Sequence, residues 1–338
     1  MRALAKTDET PGELEVIDLA TPEPGADEVS ISVVRVGLCG TDVGIQHWAP
    51  GLVQEYRPTL PHVLGHEFSG IVVDVGSDVD RRLCGRRVTA NPHLPCGNCR
   101  HCTSGRSNIC QRRPILGCHV AGAAADLAAV KATNIHILPD DMPFEVGALV
   151  EPTAVALHAV ERAGVQPGET VGVVGAGPIG VLCSLVLRAQ GHDPILSGLP
   201  EDAPRLALAA DRGVRTMTEP LEDVDVVVEA AGSPSAVQAA LSAVAAGGKL
   251  VIVSLPHDVI ELNVTSLVFR ELTLLGSRAY TPDVWPRAVA LLSENLSAFT
   301  GLVAPPYCLE DWREALRAVA DREAMKVQLA LPGSSEIL

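Results

Sequence analysis

A glycine-rich turn between a strand-like run and a helix-like run places the tightest constraint on the fold of this chain. The apolar run Thr170–Val174 leads into GAGPIG, and an apolar helical stretch follows as far as Gln190. In a βαβ unit, the first glycine of G-x-G-x-x-G allows a tight bend, the second lets a pyrophosphate approach and the third lets the helix pack closely. The helix N-terminus then faces the phosphates. We therefore predict a dinucleotide site that contains Gly175, Gly177, Pro178, Ile179 and Gly180.

Strand and helix patterns continue to alternate after this turn. Short apolar runs such as DVDVVVE and KLVIVSL are separated by helix-like stretches such as SAVQAALSAVA. This alternation is typical of a parallel sheet with helices on both faces. Before about residue 150, in contrast, short β-like runs are broken by Gly and Pro. The sequence therefore predicts an α/β chain in which a β-rich part is joined to a doubly wound parallel-sheet domain.

The residue that usually distinguishes NAD from NADP is missing from its expected place. In dinucleotide-binding domains, an acidic side chain about 20 residues after the glycine turn binds the ribose hydroxyls. That place holds Gly198, and the first arginine after it, a candidate partner for a 2′-phosphate, is Arg205. Loss of the acid removes a charge that repels a 2′-phosphate, yet residues 198–203 contain no Arg to hold one. We predict NAD or NADP as the coenzyme, and the sequence leaves the choice open.

Four cysteines lie within fifteen residues of a polar loop, with the spacing C-x2-C-x2-C-x7-C. Thiolates at such spacing close a tetrahedral zinc site, and the metal supplies ordering energy that a loop with few apolar residues lacks. The start of the pattern also occurs in iron–sulfur proteins, but no second cysteine set and no Pro after the last Cys support that alternative. Four protein ligands leave no open position. We predict a structural zinc on Cys96, Cys99, Cys102 and Cys110.

A second set of metal-ligand residues is spread along the β-rich part. It comprises Cys39 after the run ISVVRV, His66 and Glu67 before another β-like run, and Glu151 in a helix-like stretch. One thiolate, one imidazole and two carboxylates suit a zinc ion with a position open to substrate. Such an ion favours loss of an alcohol's proton, so that hydride can pass to a nicotinamide. Thr41 is a candidate acceptor for that proton, with a turn-capping hydroxyl as the alternative.

Charge and hydropathy limit the partners and the location. The formal net charge of 26 − 41 = −15 repels phosphate backbones, which argues against a nucleic-acid partner. No apolar run reaches the roughly 18 residues needed to cross a bilayer, and the N-terminus has no signal-peptide core. We therefore expect a cytoplasmic protein without membrane contact, in which clustered cysteines indicate metal rather than disulfides.

The sequence resembles the zinc-containing medium-chain dehydrogenases, and within them the sorbitol and L-threonine dehydrogenase branch. The resemblance covers essentially the whole chain and is carried by GLCGTDV, LPHVLGHEFSGIVVDVG, the four-cysteine loop, GALVEPTAVALHAV, VVGAGPIGV and RELTLLGSRAYT. It implies a GroES-like catalytic domain over residues 1–153 and 281–338, with a Rossmann domain over residues 154–280 inserted. It also implies an active site in the cleft between these domains, and a catalytic zinc on Cys39, His66 and either Glu67 or Glu151.

One departure from the family concerns the proton route. Relatives often carry a His three residues after the Thr, where this chain has Gly44. His47 lies close by in the sequence and is a candidate substitute, with water as the alternative. Trp48 is an aromatic candidate for the wall of the substrate pocket. The resemblance further implies that Arg278 and Tyr280 line the cleft near the nicotinamide.

Together these features predict a zinc-dependent and NAD(P)-dependent alcohol dehydrogenase with two zinc ions per chain. We expect it to oxidise a secondary hydroxyl of a polyol, sugar or amino-alcohol type of substrate. The alternatives are an aldose or glucose-type dehydrogenase acting at the anomeric carbon, and a non-catalytic relative with the same fold. Retention of Cys39, His66 and Glu67 argues against the non-catalytic alternative. The resemblance also implies a homo-oligomer, a tetramer or a dimer.

Overall fold

The secondary structure of the chain separates into an antiparallel part and an alternating parallel part. The computed structural model describes residues 1–256, 259–322 and 324–331. One unit is formed by Met1–Glu151 together with the chain from Leu292 onward, and the other by Pro152–Leu291. We call them unit 1 and unit 2. The predicted fold class, a β-rich GroES-like part plus a Rossmann parallel sheet, is confirmed.

The regular elements are numbered here in chain order. The strands are β1 (Arg2–Lys6), β2 (Glu15–Asp18), β3 (Glu28–Leu38), β4 (His62–Val63), β5 (Glu67–Val75), β6 (Arg87–Ala90), β7 (Leu127–Lys131), β8 (Ile135–Ile137), β9 (Val171–Val174), β10 (Ile195–Ser197), β11 (Arg215–Met217), β12 (Val224–Glu229), β13 (Val244–Ile252), β14 (Thr273–Gly276), β15 (Tyr307–Cys308) and β16 (Val327–Ala330). The α-helices are α1 (Gly40–Gln46), α2 (Pro50–Tyr56), α3 (Arg100–Thr103), α4 (Phe144–Gly147), α5 (Val150–Ala163), α6 (Pro178–Ala189), α7 (Ala203–Ala210), α8 (Pro234–Ala243), α9 (Val264–Phe269), α10 (Val284–Glu294), α11 (Leu296–Phe299) and α12 (Trp312–Ala320).

Strand β3 organises unit 1. The main sheet has the order β15-β16-β3-β5-β6-β8, and β7 also pairs with β3. All of these pairs are antiparallel except β15 with β16. A smaller antiparallel sheet has the order β2-β1-β4. Because β3 is buried on both faces, its sequence EVSISVVRVGL is nearly continuous in apolar residues toward its end. Helix α12 contributes Trp312 and Leu316 to the same core.

The register of β3 determines which side chains lie beside Gly37, near the end of the strand. Gly37 lies opposite Glu67 of β5 on one side and opposite Gln328 of β16 on the other. A Cβ atom at Gly37 would overlap an oxygen of Glu67 and come within 3.2 Å of Cε of Lys326. Glycine is therefore needed here to leave room for two charged side chains from the neighbouring strand ends.

Unit 2 contains a parallel sheet with the order β11-β10-β9-β12-β13-β14 among its described residues. In the order of the chain this is 3-2-1-4-5-6, the arrangement of dinucleotide-binding domains. The strand order reverses between β9 and β12, and ligands of such sheets bind beyond the carboxyl ends of the strands at this point. The turn after β9 is the glycine-rich turn described above.

Within the described part of the chain, no helix is long and apolar enough to cross a bilayer. The longest helix among the described residues, α5, has fourteen residues. A bilayer-spanning helix needs about 20 apolar residues.

A buried lysine joins the N-terminal region to the end of α1. The side chain of Lys6 is fully buried, and its Nζ donates hydrogen bonds to the carbonyl oxygens of Thr10, Glu13 and Gln46. The bonds to Glu13 and Gln46 are both 2.9 Å long. A buried ammonium group is tolerated only when its donors are satisfied in this way. Lys6 therefore acts as a clamp between two loops of unit 1.

We expect Lys6→Met to lower the free energy of unfolding by about 2–4 kcal/mol, because three carbonyl oxygens lose a charged donor. Chemical denaturation of the zinc-loaded protein measures the change. Lys131→Met is the control, because Lys131 pairs with Asp27 at the surface and such pairs contribute little. Equal stabilities of the two variants would contradict a stabilising role of the buried Lys6 hydrogen bonds.

Candidate active site

A buried carboxylate connects the two loops that carry the predicted ligands. Cys39 directly follows β3 and begins α1, and Asp42 lies in the first turn of that helix. Oδ2 of Asp42 accepts a 2.8 Å hydrogen bond from the backbone N–H of Cys39, and Oδ1 accepts one of 3.2 Å from Gly65. Burial raises the pKa of Asp42, while His66 and the two N–H donors oppose that rise. One side chain therefore holds the Cys39 loop against the loop that precedes His66.

The three predicted donors meet at this junction. The sulfur of Cys39, a ring nitrogen of His66 and a carboxylate oxygen of Glu67 all lie within 4.8 Å of one another. His66 and Glu67 are buried, whereas Cys39 is half-buried. One thiolate, one imidazole and one carboxylate are a donor set that zinc accepts in sites with an open position. The residues therefore fit the predicted catalytic zinc, and the chain carries a catalytic Cys/His/Glu site.

His66 has a neighbour that the sequence did not single out as functional. The sulfur of Cys118 lies 4.0 Å from Nδ1 of His66, and Cys118 is buried with Tyr56 and Ile115. Burial by itself lowers the pKa of His66, but the neighbouring groups of Cys118, Cys39 and Asp42 outweigh it, and the pKa lies well above its ordinary value. In the metal-free protein, zinc therefore competes with a proton for this imidazole.

The two candidate carboxylates have different surroundings. Glu67 forms a buried ion pair with Lys326, whose Nζ lies 2.7 Å from Oε1 and 2.5 Å from Oε2. Glu151 is the second residue of α5 and is buried, and its charge helps to raise the pKa of Lys326. The group of donors within 4.8 Å includes Glu67 and does not include Glu151. The choice of ligand between them stays a prediction.

The proton-route candidates lie on and after α1. The hydroxyl of Thr41 is 3.9 Å from the sulfur of Cys39, close to the donor group. Gly44 cannot take a side chain without a shift, because a Cβ atom there would overlap Cδ1 of Leu52. An apolar side chain therefore fills the space where relatives often have histidine. His47 is exposed and Trp48 is half-buried with a positive φ of 50°, and their roles stay predictions.

The four-cysteine loop has the geometry of a single metal ion. The sulfur–sulfur distances are 3.5 Å for Cys99–Cys102, 3.6 Å for Cys96–Cys110, 3.8 Å for Cys99–Cys110 and 3.9 Å for Cys96–Cys102. Zinc–sulfur bonds of about 2.3 Å in a tetrahedron place the sulfurs about 3.8 Å apart. Disulfide bonds of about 2 Å do not fit. An iron–sulfur cluster would spread the thiolates over separate iron atoms. The predicted structural zinc site is confirmed.

Backbone hydrogen bonds prepare this loop for a metal. The pKa of Cys96 is lowered to about 6, first because the N–H of Asn98 donates to its sulfur. The pKa of Cys99 is also lowered, chiefly by the N–H of Cys102. Arg112 donates to the sulfur of Cys96 at 3.7 Å and to Oδ1 of Asn98 at 3.1 Å. Because only thiolates bind zinc, these donors favour the ligand form of Cys96 and Cys99, whereas burial raises the pKa of Cys102 to about 12.

The glycine turn of unit 2 has the predicted conformation. Gly175 has a φ of +105°, and a Cβ atom there would lie 2.7 Å from the backbone nitrogen of Ala231. Gly177 is the N-cap of α6, and a Cβ atom there would meet nothing within 4 Å. At Gly180 a Cβ atom would overlap the carbonyl oxygen of Gly175. The first and third glycines are needed for packing, and the second borders open space in front of the helix N-terminus, where Pro178 and Ile179 begin the helix.

The end of β10 is closely packed at the position of the missing acid. A Cβ atom at Gly198 would lie 2.8 Å from Cβ of Ala176 and 3.3 Å from Leu206, so a longer side chain needs a local shift. The nearby Asp202 is buried and accepts a 3.0 Å hydrogen bond from the N–H of Leu199. Arg205 is also buried. The Asp202 carboxylate therefore stabilises the turn.

The remaining predicted residues of unit 2 follow β14. Arg278 is exposed. Tyr280 is 1% exposed and packs edge-on against Trp285, with 5.1 Å between the ring centres. In this conformation the Tyr280 ring is part of the core of unit 2. The coenzyme role of Arg278 and the substrate role of Tyr280 stay predictions.

Sequence reasoning missed three residues of the site. Asp42 has a local signal, because a carboxylate three positions after a helix N-cap is the usual capping arrangement. Cys118 stands apart from the other cysteines, a pattern typical of a packing residue. Lys326 has no local signal, because its partner Glu67 is distant in sequence.

Two family models match the chain. A model described as an alcohol dehydrogenase GroES-like domain matches residues 25–140, and one described as a zinc-binding dehydrogenase matches residues 178–294. A D-arabitol-phosphate dehydrogenase of Enterococcus avium is 34% identical over 97% of each chain. A sorbitol dehydrogenase of Bacillus subtilis is 32% identical over 94% of each chain.

Solved structures agree with these matches. A zinc-binding dehydrogenase of Sinorhizobium meliloti bound to NADP has a TM-score of 0.87 and 30% identity, covering 98% of this chain and 99% of its own. An Escherichia coli short chain alcohol dehydrogenase with NADH has a TM-score of 0.89 and 25% identity, covering 98% and 99%. With its fold and its two metal sites, the chain belongs to the zinc-containing medium-chain alcohol dehydrogenase family. It is an NAD(P)-dependent zinc dehydrogenase that acts on CH–OH donors.

We expect Cys99→Ser to reduce bound zinc from two ions to one per chain and to lower Tm by about 5 °C or more, because the loop loses its ordering metal. Metal analysis and thermal unfolding measure both effects, and Cys84→Ser, outside both metal sites, is the control. Unchanged stability together with lost turnover would mean that the four-cysteine site is catalytic.

Proposed function

We propose that this chain oxidises a secondary hydroxyl of a polyol-type substrate and passes the hydride to NAD or NADP. The observation that carries the proposal is the meeting of Cys39, His66 and Glu67 donors within 4.8 Å. The similarity to arabitol-phosphate and sorbitol dehydrogenases over nearly the whole chain supports the polyol class. The glycine turn with its open helix N-terminus supports the coenzyme.

Cys39, His66 and Glu67 or Glu151 would hold the zinc, which would supply Lewis acidity toward the substrate oxygen while the coenzyme accepts the hydride. Asp42 keeps the two ligand loops at a fixed separation. The hydroxyl of Thr41 is positioned to hold the proton that leaves the substrate, because it lies close to the donor group. Gly44 offers no side chain for a relay, so His47 or water would carry the proton onward from Thr41 Oγ1.

We expect Cys39→Ser to lower kcat by about 1000-fold or more, because the metal loses its thiolate ligand. Dinucleotide binding should persist, because the glycine turn is unchanged. Reduced nicotinamide is measured by absorbance with NAD and NADP against polyols, polyol phosphates, aldoses, amino alcohols and simple secondary alcohols. Cys308→Ser, at an exposed cysteine, is the matched control.

Turnover with polyols or their phosphates supports the proposal, and the better coenzyme settles the choice between NAD and NADP. Oxidation of aldoses alone would contradict the polyol proposal and favour an aldose dehydrogenase that acts at the anomeric carbon. Full activity of Cys39→Ser would overturn the metal assignment.

We also infer that the chain forms a homo-oligomer through an apolar face of unit 2. The α9 patch consists of Val264, Val268 and Phe269, which are 63%, 68% and 84% exposed. The outer strand β14 follows a few residues later, and its outer edge has no strand partner among the described residues. Two identical sheet edges can pair about a twofold axis, and this closes the assembly. We therefore propose that a second copy of the chain binds this face of unit 2.

We expect Phe269→Asp to shift the protein to a smaller species, because a buried charge in the interface would be unpaired. Light scattering after gel filtration measures the mass. Val120→Asp, at an exposed apolar residue of unit 1, is the control and should keep the parent mass. An unchanged mass for Phe269→Asp would exclude this patch as the interface.

A further inference from the structure

The ion pair of Lys326 and Glu67 lies inside the candidate metal site. The two side chains are 4% and 2% exposed, and Nζ is within 2.7 Å of both carboxylate oxygens. A carboxylate oxygen of the same Glu67 is one of the three donors that lie within 4.8 Å of one another. The carboxylate is therefore within reach of two cations, the ammonium of Lys326 and a metal ion.

Lys326 is also within electrostatic reach of two further anionic groups of this site, Cys39 and Glu151. Gly37 leaves room for the pair, because any Cβ atom there would overlap Glu67 and crowd Lys326. The contact is thus built by the register of three strands, β5, β3 and β16.

We propose that Lys326 is a positioning residue that competes with the catalytic metal for the Glu67 carboxylate. The inference rests on the proposed assignment of the metal to Cys39, His66 and Glu67. A positive charge beside a metal site weakens cation binding, and an occupied carboxylate is a weaker ligand. Glu67 then remains exchangeable, and a coordination position stays available for substrate.

A purely structural role makes the opposite prediction for metal binding. If Lys326 only joined β16 to β5, its loss would loosen the ligand loops and weaken zinc binding. If it competes for Glu67, its loss frees the carboxylate and strengthens zinc binding while reducing turnover. The sign of the change in zinc affinity therefore separates the two roles.

The experiment measures zinc affinity of the full-length protein by competition with a chromogenic chelator. Cys39→Ser identifies which of the two zinc equivalents belongs to the catalytic site. For Lys326→Met we expect the dissociation constant of that equivalent to fall about tenfold or more, because a nearby unit charge is removed. We also expect a lower kcat and a lower Tm of the metal-free protein. Lys326→Arg retains the charge and should bind zinc like the parent protein.

Two further variants complete the test. Lys326→Gln keeps a neutral donor toward Glu67, so its zinc dissociation constant should fall by a smaller factor. This variant also replaces Lys326→Met if that protein does not fold. Lys6→Met is the matched control, because Lys6 is buried in the same unit but bonds only carbonyl oxygens. It should lower stability and leave zinc affinity unchanged.

Weaker or unchanged zinc binding in both neutral variants at position 326 would contradict the proposal that Lys326 competes with zinc for Glu67. Retention of two zinc equivalents by Cys39→Ser would instead overturn the metal assignment itself, so the two failures are distinguishable.

Discussion

The two hydrogen bonds that Asp42 accepts join the two loops that carry Cys39 and His66. One comes from the N–H of Cys39 at the end of β3, and the other from the N–H of Gly65 just before His66. The antiparallel register of β3 with β5 then places Glu67 opposite Gly37. A slip of one residue would turn Glu67 to the other face of the sheet. The donor group thus depends on backbone pairing as much as on the ligands themselves.

Features whose partners are close in sequence could be predicted from the sequence. The glycine turn requires only a strand, a short loop and a helix, and all three have strong local patterns. The four cysteines close a tetrahedron within fifteen residues, and the observed sulfur–sulfur distances agree with it. The fold class and the four-cysteine zinc site were predicted on these grounds and are confirmed. Scattered ligands such as Cys39 and His66 became convincing only together with the family resemblance.

Features that depend on distant strand pairing could not be predicted. Lys326 is 259 residues away from Glu67 in sequence, and only the pairing of β16 with β3 brings them together. Leu52 fills the space beside Gly44, which the absence of a histidine at that position did not reveal. A Cβ atom at Gly198 would crowd Ala176 and Leu206, a packing constraint that the local sequence does not reveal.

The place of β16 at the end of the described chain has a consequence for the order in which the protein is made. The ribosome completes the loops of Cys39, His66 and the four cysteines early, and the whole parallel sheet of unit 2 follows before β16 emerges. Until then β3 lacks one of its neighbours, and Glu67 lacks its ammonium partner. A nascent chain therefore presents its metal ligands with an uncompensated negative charge, and metal capture at this stage differs electrostatically from capture by the finished protein.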